Sequence, residues 1–207
     1  ATVREAFHGA RSGRPGPVLI DMTKDCQQKA CDFEWPEDAV AEHHRPDLRP
    51  GDAELARAVD LIHQAKRPLI LAGNGIIASG ASDLVRRFAE HADIPIAMTL
   101  LGIGGVPASH PLNLGMMGMH GEAWVNTSIQ EADLLIAVGM RFDDRVTGNV
   151  KTYALNAKKI HLEIDRSEIN KNVKVDVGLV GDCGQLLQTL MPRVERGNHA
   201  AWRAHID

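Results

Sequence analysis

Short, continuous apolar runs alternate with helical patterns along most of the chain. Five runs have the length and the flanking residues of buried strands: LILAG, IPIAMT, LLIAVGM, KIHLEI and VGLVG. Strands that are apolar on both faces are typical of parallel sheets covered by helices. The pattern therefore predicts an α/β fold with an open, doubly wound parallel sheet, and it places ligands at the carboxyl ends of the strands.

Helices are predicted between and around these strands. Asp52 can cap a helix whose apolar residues Leu55, Val59, Ile62 and Ala65 recur at helical spacing. Further helices are predicted around residues 82–91 and 122–132 and from residue 183 to residue 194. Together they would cover the faces of the sheet.

The residues before the sheet have a different organisation. A helix with Val3, Ala6, Phe7 and Ala10 on one face precedes a Gly-Pro turn and the apolar run VLIDM, which has the length of a buried parallel strand. A polar, proline-bearing stretch follows and is typical of a linker. We expect one domain end at residues 1–30, a linker at 31–51, a complete domain at 52–197 and the start of a second linker at 198–207.

Composition excludes several classes of function. The 23 basic and 27 acidic residues are mixed along the chain, with a net charge of −4, so nucleic acid is not an expected partner. Three cysteines without metal-ligand spacing indicate free thiols and no zinc site. No apolar run approaches the roughly 20 residues that cross a bilayer. We expect a soluble, cytoplasmic protein of bacterial type, excised from a longer polypeptide because Ala1 already lies in a helical pattern.

The candidate functional residues follow the predicted strands. Gly73 and Gly75 come after the first strand, where small residues let backbone amides approach a diphosphate, although their spacing is not G-x-G-x-x-G and a plain tight turn explains them equally well. After the second strand, residues 99–121 form a long segment rich in glycine and methionine. Such a segment is typical of a functional loop, with core filling by Met116, Met117 and Met119 as the alternative.

Charged residues follow the later strands. Residues 139–148 carry four charges within five positions, which fits either phosphate binding by arginine or a salt-bridge cluster at the sheet end. Glu163 and Asp182 are candidates to bind ribose hydroxyls or adenine, with a helix cap as the alternative for Asp182. His120 and His161 lack a second ligand or a nucleophile at usable spacing, so we predict neither catalysis nor a metal there, and we interpret His161 as a strand residue.

Several longer motifs resemble acetolactate synthase (acetohydroxyacid synthase) large subunits. They are RPGPVLIDMTKDCQ, AKRPLILAGNGI, IPIAMTLLGIG, HPLNLGMMGMHG, ADLLIAVGMRFDDRVTG and KKIHLEIDRSEINKN followed by VGD. The resemblance implies a thiamine-diphosphate enzyme, a transferase of two-carbon acyl units. It joins two 2-oxo acids with loss of carbon dioxide, for example pyruvate to 2-acetolactate, in the biosynthesis of isoleucine and valine. This chain would supply the Rossmann-like middle domain.

The resemblance also implies a cofactor site and a substrate channel. The FAD-binding residues would be Arg14, Gly73, Gly75, Thr99, Leu100, Met117, Gly118, Met119, His120, Gly139, Met140, Arg141, Asp143, Arg145, Val146, Glu163, Ile164, Asp182 and Cys183. The channel for substrate and herbicide at the subunit interface would be bordered by Lys24, Met119, Asp144 and Arg145. The FAD would be chiefly structural, because the reaction has no net redox change.

The resemblance places no catalytic residue and no metal ligand on this chain. The family's catalytic glutamate and the motif that holds magnesium and thiamine diphosphate belong to its other two domains, so the chain alone should be inactive. The complete enzyme would be a homodimer or tetramer with a regulatory small subunit. The chain departs from the family at Asn74, Met117 and Glu163, where glycine, leucine and aspartate are common. Glyoxylate carboligase, pyruvate oxidase and a non-catalytic adenine-nucleotide sensor are the alternatives, and RFDDRVTG favours acetolactate synthase over the first two.

Overall fold

The computed structural model describes residues 2–32 and 50–206. The chain divides into two compact units, Ala1–Asp47 and Leu48–Asp207. The division falls inside the stretch predicted as a linker. Along the described part of the chain, no helix is both long enough and apolar enough to cross a membrane.

The described part of the first unit, residues 2–32, contains two helices, α1 (Thr2–Arg11) and α2 (Lys24–Gln28). The predicted strand over VLIDM is wrong, because residues 18–22 adopt no strand and Leu19 is 91% exposed. A strand needs a neighbour to pair its backbone N–H and C=O groups. Residues 2–32 contain no second strand that could provide one.

The second unit is built on a six-stranded parallel sheet, which confirms the predicted fold class. The strands are β1 (Pro68–Ala72), β2 (Ile96–Met98), β3 (Asn113–Met116), β4 (Leu134–Val138), β5 (Lys158–Glu163) and β6 (Val177–Val180). Their spatial order is β3-β2-β1-β4-β5-β6, and every neighbouring pair is parallel. The order reverses between β1 and β4, which is the topological switch point of a doubly wound sheet.

Seven helices belong to the described part of this unit. They are α3 (Asp52–Gln64), α4 (Gly75–Ala78), α5 (Ser82–Ala92), α6 (Ala123–Glu131), α7 (Asp144–Thr147), α8 (Cys183–Leu190) and α9 (Ala200–Ile206). The helix predicted to reach residue 194 ends as an α-helix at Leu190 and continues as a 3-10 turn, Met191–Arg193. A proline inside that turn cannot donate a helical hydrogen bond, which explains the earlier end.

Two apolar clusters cover the two faces of the sheet. Alternate residues of β1 point to opposite faces, so Ile70 joins the cluster that includes α3, α5 and α8, while Leu69 and Leu71 join the one that includes α6. All five residues of β1 are buried, as are all five of β4. A fully buried leucine or isoleucine side chain contributes about 1.5–3 kcal/mol. The sheet is therefore a rigid base for the loops at its ends.

The segment after residue 197 is anchored on this unit. Trp202 of α9 is buried, and its indole Nε1 donates to the carbonyl oxygen of Pro68 at 3.0 Å. His199 contacts the carbonyl oxygens of Ala65 at 3.2 Å and Ala92 at 3.0 Å, which end α3 and α5. These contacts tie α9 to the amino side of the sheet.

Candidate functional site

The segments that follow the strands lie in a row at one edge of the sheet. In the order of the sheet they are residues 117–120 after β3, 99–100 after β2, 73–75 after β1, 139–146 after β4, 163–164 at the end of β5 and 182–183 after β6. We call this row the carboxyl edge. It contains every predicted cofactor residue except Arg14. Arg14 and Lys24 are exposed residues of the unit Ala1–Asp47, and their assigned roles stay predictions.

Glycines bring the loops after β1 and β4 into backbone contact at the switch point. Gly75 N–H donates to the carbonyl oxygen of Gly139 at 2.8 Å, and Gly73 N–H donates to that of Val138 at 3.0 Å. A Cβ atom on Gly75 would lie 2.5 Å from the Cα of Gly139, and one on Gly73 would collide with Met140. The need for glycine at positions 73 and 75 is therefore explained by loop packing, without a ligand.

The residues after β2 present apolar side chains to solvent. Thr99 Oγ1 accepts from Gly102 N–H at 3.1 Å and so caps the 3-10 turn Leu100–Gly102. Leu100 and Leu101 are each 69% exposed, and Ile103 is 51% exposed. Exposed leucines next to glycine-bearing turns form a surface that can cover an aromatic ring.

The methionines after β3 have different environments. Met117 is buried in the core, so core filling explains this residue. Met119 is 56% exposed and His120 is also exposed. Met119 N–H donates to the carbonyl oxygen of Arg145 at 2.8 Å, and Arg145 Nη1 lies 3.5 Å from Met119 Sδ. The segment therefore meets the start of α7 directly.

The charged residues after β4 form only loose ion pairs. Arg141 Nη2 lies 3.8 Å from Asp143 Oδ2, with side chains 42% and 37% exposed. Arg145 Nε lies 3.9 Å from Asp144 Oδ2, and both side chains are largely exposed. Asp143 Oδ1 accepts from Val146 N–H at 3.2 Å and caps α7. Exposed pairs of this length stabilise a fold by about 0–1 kcal/mol, so the Arg141 guanidinium stays available to an anion.

His161 is a buried residue of β5, which confirms its interpretation as a strand residue. Its Nε2 lies 2.7 Å from the carbonyl oxygen of Met140, and its ring packs edge-on against Phe142 at 5.1 Å between centroids. Burial lowers the pKa of His161, partly opposed by the Met140 carbonyl and by Glu168. His161 thus contacts both neighbours of Arg141. Sequence reasoning missed this role, because the contact depends on the register that aligns β5 with β4.

Polar groups also end β5 and β6. Glu163 is buried, and its Oε1 accepts from Asp165 N–H at 3.1 Å. Asp182 Oδ1 accepts from Gln185 N–H at 3.1 Å, so the helix-cap alternative for Asp182 is confirmed. Cys183 Sγ lies 3.0 Å from Ser79 Oγ, and burial raises the pKa of this thiol. Ile164 is half-buried beside Glu163. The roles of these residues towards adenosine stay predictions.

The described residues contain no group of three or more His, Cys, Asp or Glu side chains that could hold a metal ion. A groove of about 370 Å³ lies far from the carboxyl edge, at the amino ends of β1 and β2. It is lined by Ile62, His63, Ala65, Lys66, Ala92, Glu195, Arg196, Gly197, Asn198, His199, Ala201 and Trp202. None of the predicted site residues lines it, so its chemistry is separate from theirs.

Comparison with known proteins agrees with the fold and with the motifs. Residues 55–190 match the family model described as thiamine pyrophosphate enzyme, central domain. The chain is 46% identical over 187 residues to the acetolactate synthase large subunit of Corynebacterium glutamicum, covering 90% of this chain and 30% of that protein. It is 46% identical over 193 residues to the probable acetolactate synthase large subunit of Methanocaldococcus jannaschii, covering 92% and 33%. For the acetolactate synthase large subunit of Parasynechococcus marenigrum the identity is 44% over 212 residues, covering 99% and 34%.

The chain spans about a third of the length of these curated relatives. The match confirms the resemblance to acetolactate synthase large subunits that the motifs indicated. The family model covers two thirds of the sequence and coincides with the sheet and its helices. The chain therefore belongs to the thiamine pyrophosphate enzymes, as a member of their central-domain family.

Proposed function

We propose that this chain is the central part of an acetolactate synthase large subunit. The complete enzyme would condense two 2-oxo acids with loss of carbon dioxide, forming 2-acetolactate from pyruvate, in the biosynthesis of branched-chain amino acids. Similarity to named large subunits over at least 90% of the chain supports this proposal. Thiamine diphosphate and Mg²⁺ would be held by residues outside this chain.

The contribution of this chain would be an FAD site along the carboxyl edge. The single observation that carries the proposal is the linear order of the candidate residues across all six strand ends. Strands in a sheet lie about 4.8 Å apart, so five spacings span roughly 24 Å. A row of this length fits an extended dinucleotide better than a mononucleotide. Doubly wound sheets bind dinucleotides across their switch point.

The two ends of the carboxyl edge carry different types of side chain, as the flavin and adenosine parts of FAD would require. The exposed apolar side chains of Leu100 and Met119 lie towards the β3 end and would contact the flavin ring, together with Thr99, Met117, Gly118 and His120. The carboxylates of Glu163 and Asp182 lie towards the β6 end and would accept hydrogen bonds from the adenosine part, beside Ile164 and Cys183.

Arg141 lies between these two ends, next to the switch point. Its guanidinium is partly exposed and only loosely paired with Asp143. We assign it to the diphosphate, because a planar guanidinium offers two parallel donors to phosphate oxygens. Gly139, Met140, Asp143, Arg145 and Val146 would shape the same part of the site. Bound FAD would serve as a structural element, since the condensation involves no net redox change.

The proposed substrate channel includes three residues that the fold brings together. Met119 and Arg145 are in direct contact through the backbone and the side chains, and Asp144 lies beside Arg145. Lys24 would complete the channel from residues 1–30, the end of the pyrimidine-binding domain. Residues 31–51 would link that domain to the central domain at 52–197, and residues 198–207 would lead towards the third domain. The complete enzyme would act in the cytoplasm as a homodimer or tetramer with a regulatory small subunit.

The direct test is to identify the nucleotide that the complete protein carries. The protein would be purified without added cofactor, denatured, and its released ligand analysed by absorption spectrum and mass. We expect FAD at close to one molecule per chain. A nicotinamide or simple adenosine nucleotide instead would overturn the proposal and favour the nucleotide-sensor alternative.

A further inference from the structure

Asn126 holds the backbone of Gly118 by two hydrogen bonds. Its Oδ1 accepts from Gly118 N–H at 2.9 Å, and its Nδ2 donates to the carbonyl oxygen of Gly118 at 2.9 Å. Asn126 is a half-buried residue of α6, whereas Gly118 is buried in the turn after β3. Because one planar amide engages both peptide groups of Gly118, it fixes the orientation of the turn and not only its position.

Gly118 itself occupies a conformation that depends on its neighbours. Its φ of +101° lies in the region that favours glycine, and an added Cβ would lie 2.6 Å from the carbonyl oxygen of Arg145. That same oxygen accepts from Met119 N–H at 2.8 Å, and Gly121 N–H donates to the carbonyl oxygen of Gly118 at 2.9 Å. The turn is therefore clamped between Asn126 on α6 and Arg145 on α7.

The exposed residues of the turn follow directly after the clamped glycine. Met119 and His120 are exposed, and Met119 lies against the Arg145 side chain. Rotation of the peptides around Gly118 would change the directions of both side chains together. Both polar groups of the Asn126 side chain are engaged by Gly118, so Asn126 acts on the carboxyl edge through that residue.

We propose that Asn126 is a positioning residue for the flavin-ring end of the FAD site and for the adjoining channel wall. It acts through Gly118, which sets the orientation of Met119 and His120. This inference rests on the proposed function, because it assigns an effect on FAD binding to two hydrogen bonds inside the protein.

The test compares two substitutions in the complete protein, prepared free of flavin. Asn126→Leu keeps the approximate size of the side chain and loses both hydrogen bonds. Asn126→Asp keeps the shape and the acceptor for Gly118 N–H but loses the donor to the Gly118 carbonyl. The matched control is Thr127→Val, the exposed neighbour whose hydroxyl bonds only to Ala123 within the helix. FAD affinity is titrated by fluorescence, and hydrogen exchange is measured for a peptide that covers residues 117–121.

We expect Asn126→Leu to weaken FAD binding about tenfold or more and to speed exchange in residues 117–121, as loss of two hydrogen bonds predicts. Asn126→Asp should also weaken FAD binding, because a carboxylate oxygen then faces the Gly118 carbonyl oxygen where a donor stood, and Thr127→Val should leave both measurements unchanged. Wild-type affinity in a folded Asn126→Leu protein would overturn the inference alone. If that variant fails to fold, Asn126→Asp decides, and wild-type affinity there overturns the inference. A wild-type protein that binds no FAD would overturn the proposed function and the inference with it.

Discussion

The backbone N–H of Gly75 donates to the carbonyl oxygen of Gly139 at 2.8 Å, joining the loop after β1 to the loop after β4. The contact lies where the strand order reverses, so the two loops meet at the switch point through backbone atoms. Arg141 follows this contact two residues after Gly139, and its side chain is 42% exposed. The observed contacts of these two glycines are therefore with the backbone of the protein itself.

Crowding at this contact predicts a stability cost for Gly139→Ala. Gly139 has a φ of +58°, and an added Cβ would lie 2.7 Å from the Cα of Gly75. Strain at positive φ costs roughly 1–2 kcal/mol, and overpacking against rigid backbone adds about 1–3 kcal/mol. The free energy of unfolding in urea measures the sum.

Gly80→Ala is the matched control, because Gly80 has a φ of +67° and no atom within 4 Å of an added Cβ. Gly80→Ala should therefore lower the free energy of unfolding only by the cost of strain at positive φ. Equal losses for the two substitutions would mean that the loop contact can relax, contrary to the rigid base that the sheet provides for these loops.

The sequence predicted the sheet well wherever the strands are apolar throughout. β1 and β4 are fully buried and were found as continuous apolar runs. β3 (Asn113–Met116) was missed inside the predicted loop 99–121, because this edge strand is only half-buried and contains asparagine and glycine. The VLIDM run was the opposite case, a predicted strand that does not form, because an apolar pattern cannot show whether a neighbouring strand exists to pair with it.

The candidate site was predictable in position but not in its internal contacts. Parallel strands align their carboxyl ends, so residues after each strand had to meet at one edge. The role of His161 depends on the β4–β5 register, and that of Asn126 depends on the positive φ of Gly118. Neither property is visible in a pattern of apolar and polar residues. The helices α4 and α7 were missed because each is a single turn of four residues.

Burial of His161 predicts a pH-dependent loss of stability. Its pKa is lowered in the folded protein, mainly by desolvation, so on acidification the unfolded chain, whose histidines titrate at about pH 6.5, binds a proton before the folded state does. Stability should therefore fall as pH decreases from 7.5 towards 5, by at most about 1.4 kcal/mol per pH unit from this group. Glu163 and Glu168, which lie near His161, and the buried Tyr153 are present in both of the proteins compared in the next paragraph.

Urea unfolding of wild type and His161→Gln across this pH range isolates the effect, because the other nine histidines are common to both proteins. Glutamine can still donate to the Met140 carbonyl. As pH falls, the free energy of unfolding should decrease more for wild type than for His161→Gln. If the free energies of unfolding of the two proteins fall in parallel with pH, His161 binds its proton equally in the folded and unfolded states, which would contradict the prediction.

His199 should stabilise the amino side of the sheet. Its ring nitrogens contact the carbonyl oxygens of Ala65 and Ala92, and its backbone N–H donates to Asp93. Removing a side chain that donates to a helix-end carbonyl costs about 1–3 kcal/mol, because that carbonyl is left without its partner. His199→Ala should lower the free energy of unfolding by that amount. His205→Ala, which removes a 61% exposed ring paired with Glu131, should cost about 0–1 kcal/mol. A reversed order would contradict the helix-end role.

The isolated chain should form no acetolactate from pyruvate, even with thiamine diphosphate, Mg²⁺ and FAD supplied. By the family resemblance, the glutamate that activates thiamine diphosphate and the metal-binding motif lie in the other two domains. The complete enzyme, assayed beside it, is the positive control. Product formation by the isolated chain above a buffer blank would show that the catalytic groups are assigned to the wrong part of the polypeptide.

FAD titration of the complete protein with Arg141 substituted tests the central claim most directly. If Arg141 binds the diphosphate, Arg141→Ala should weaken FAD binding by about 1.5–3 kcal/mol, roughly tenfold to over a hundredfold, with little change in the melting temperature of the flavin-free form. Arg141→Lys should give an intermediate loss, since it keeps the charge and loses the planar fork. FAD affinity that stays at the wild-type value in Arg141→Ala would contradict the account and leave Arg141 as the partner of Asp143 alone.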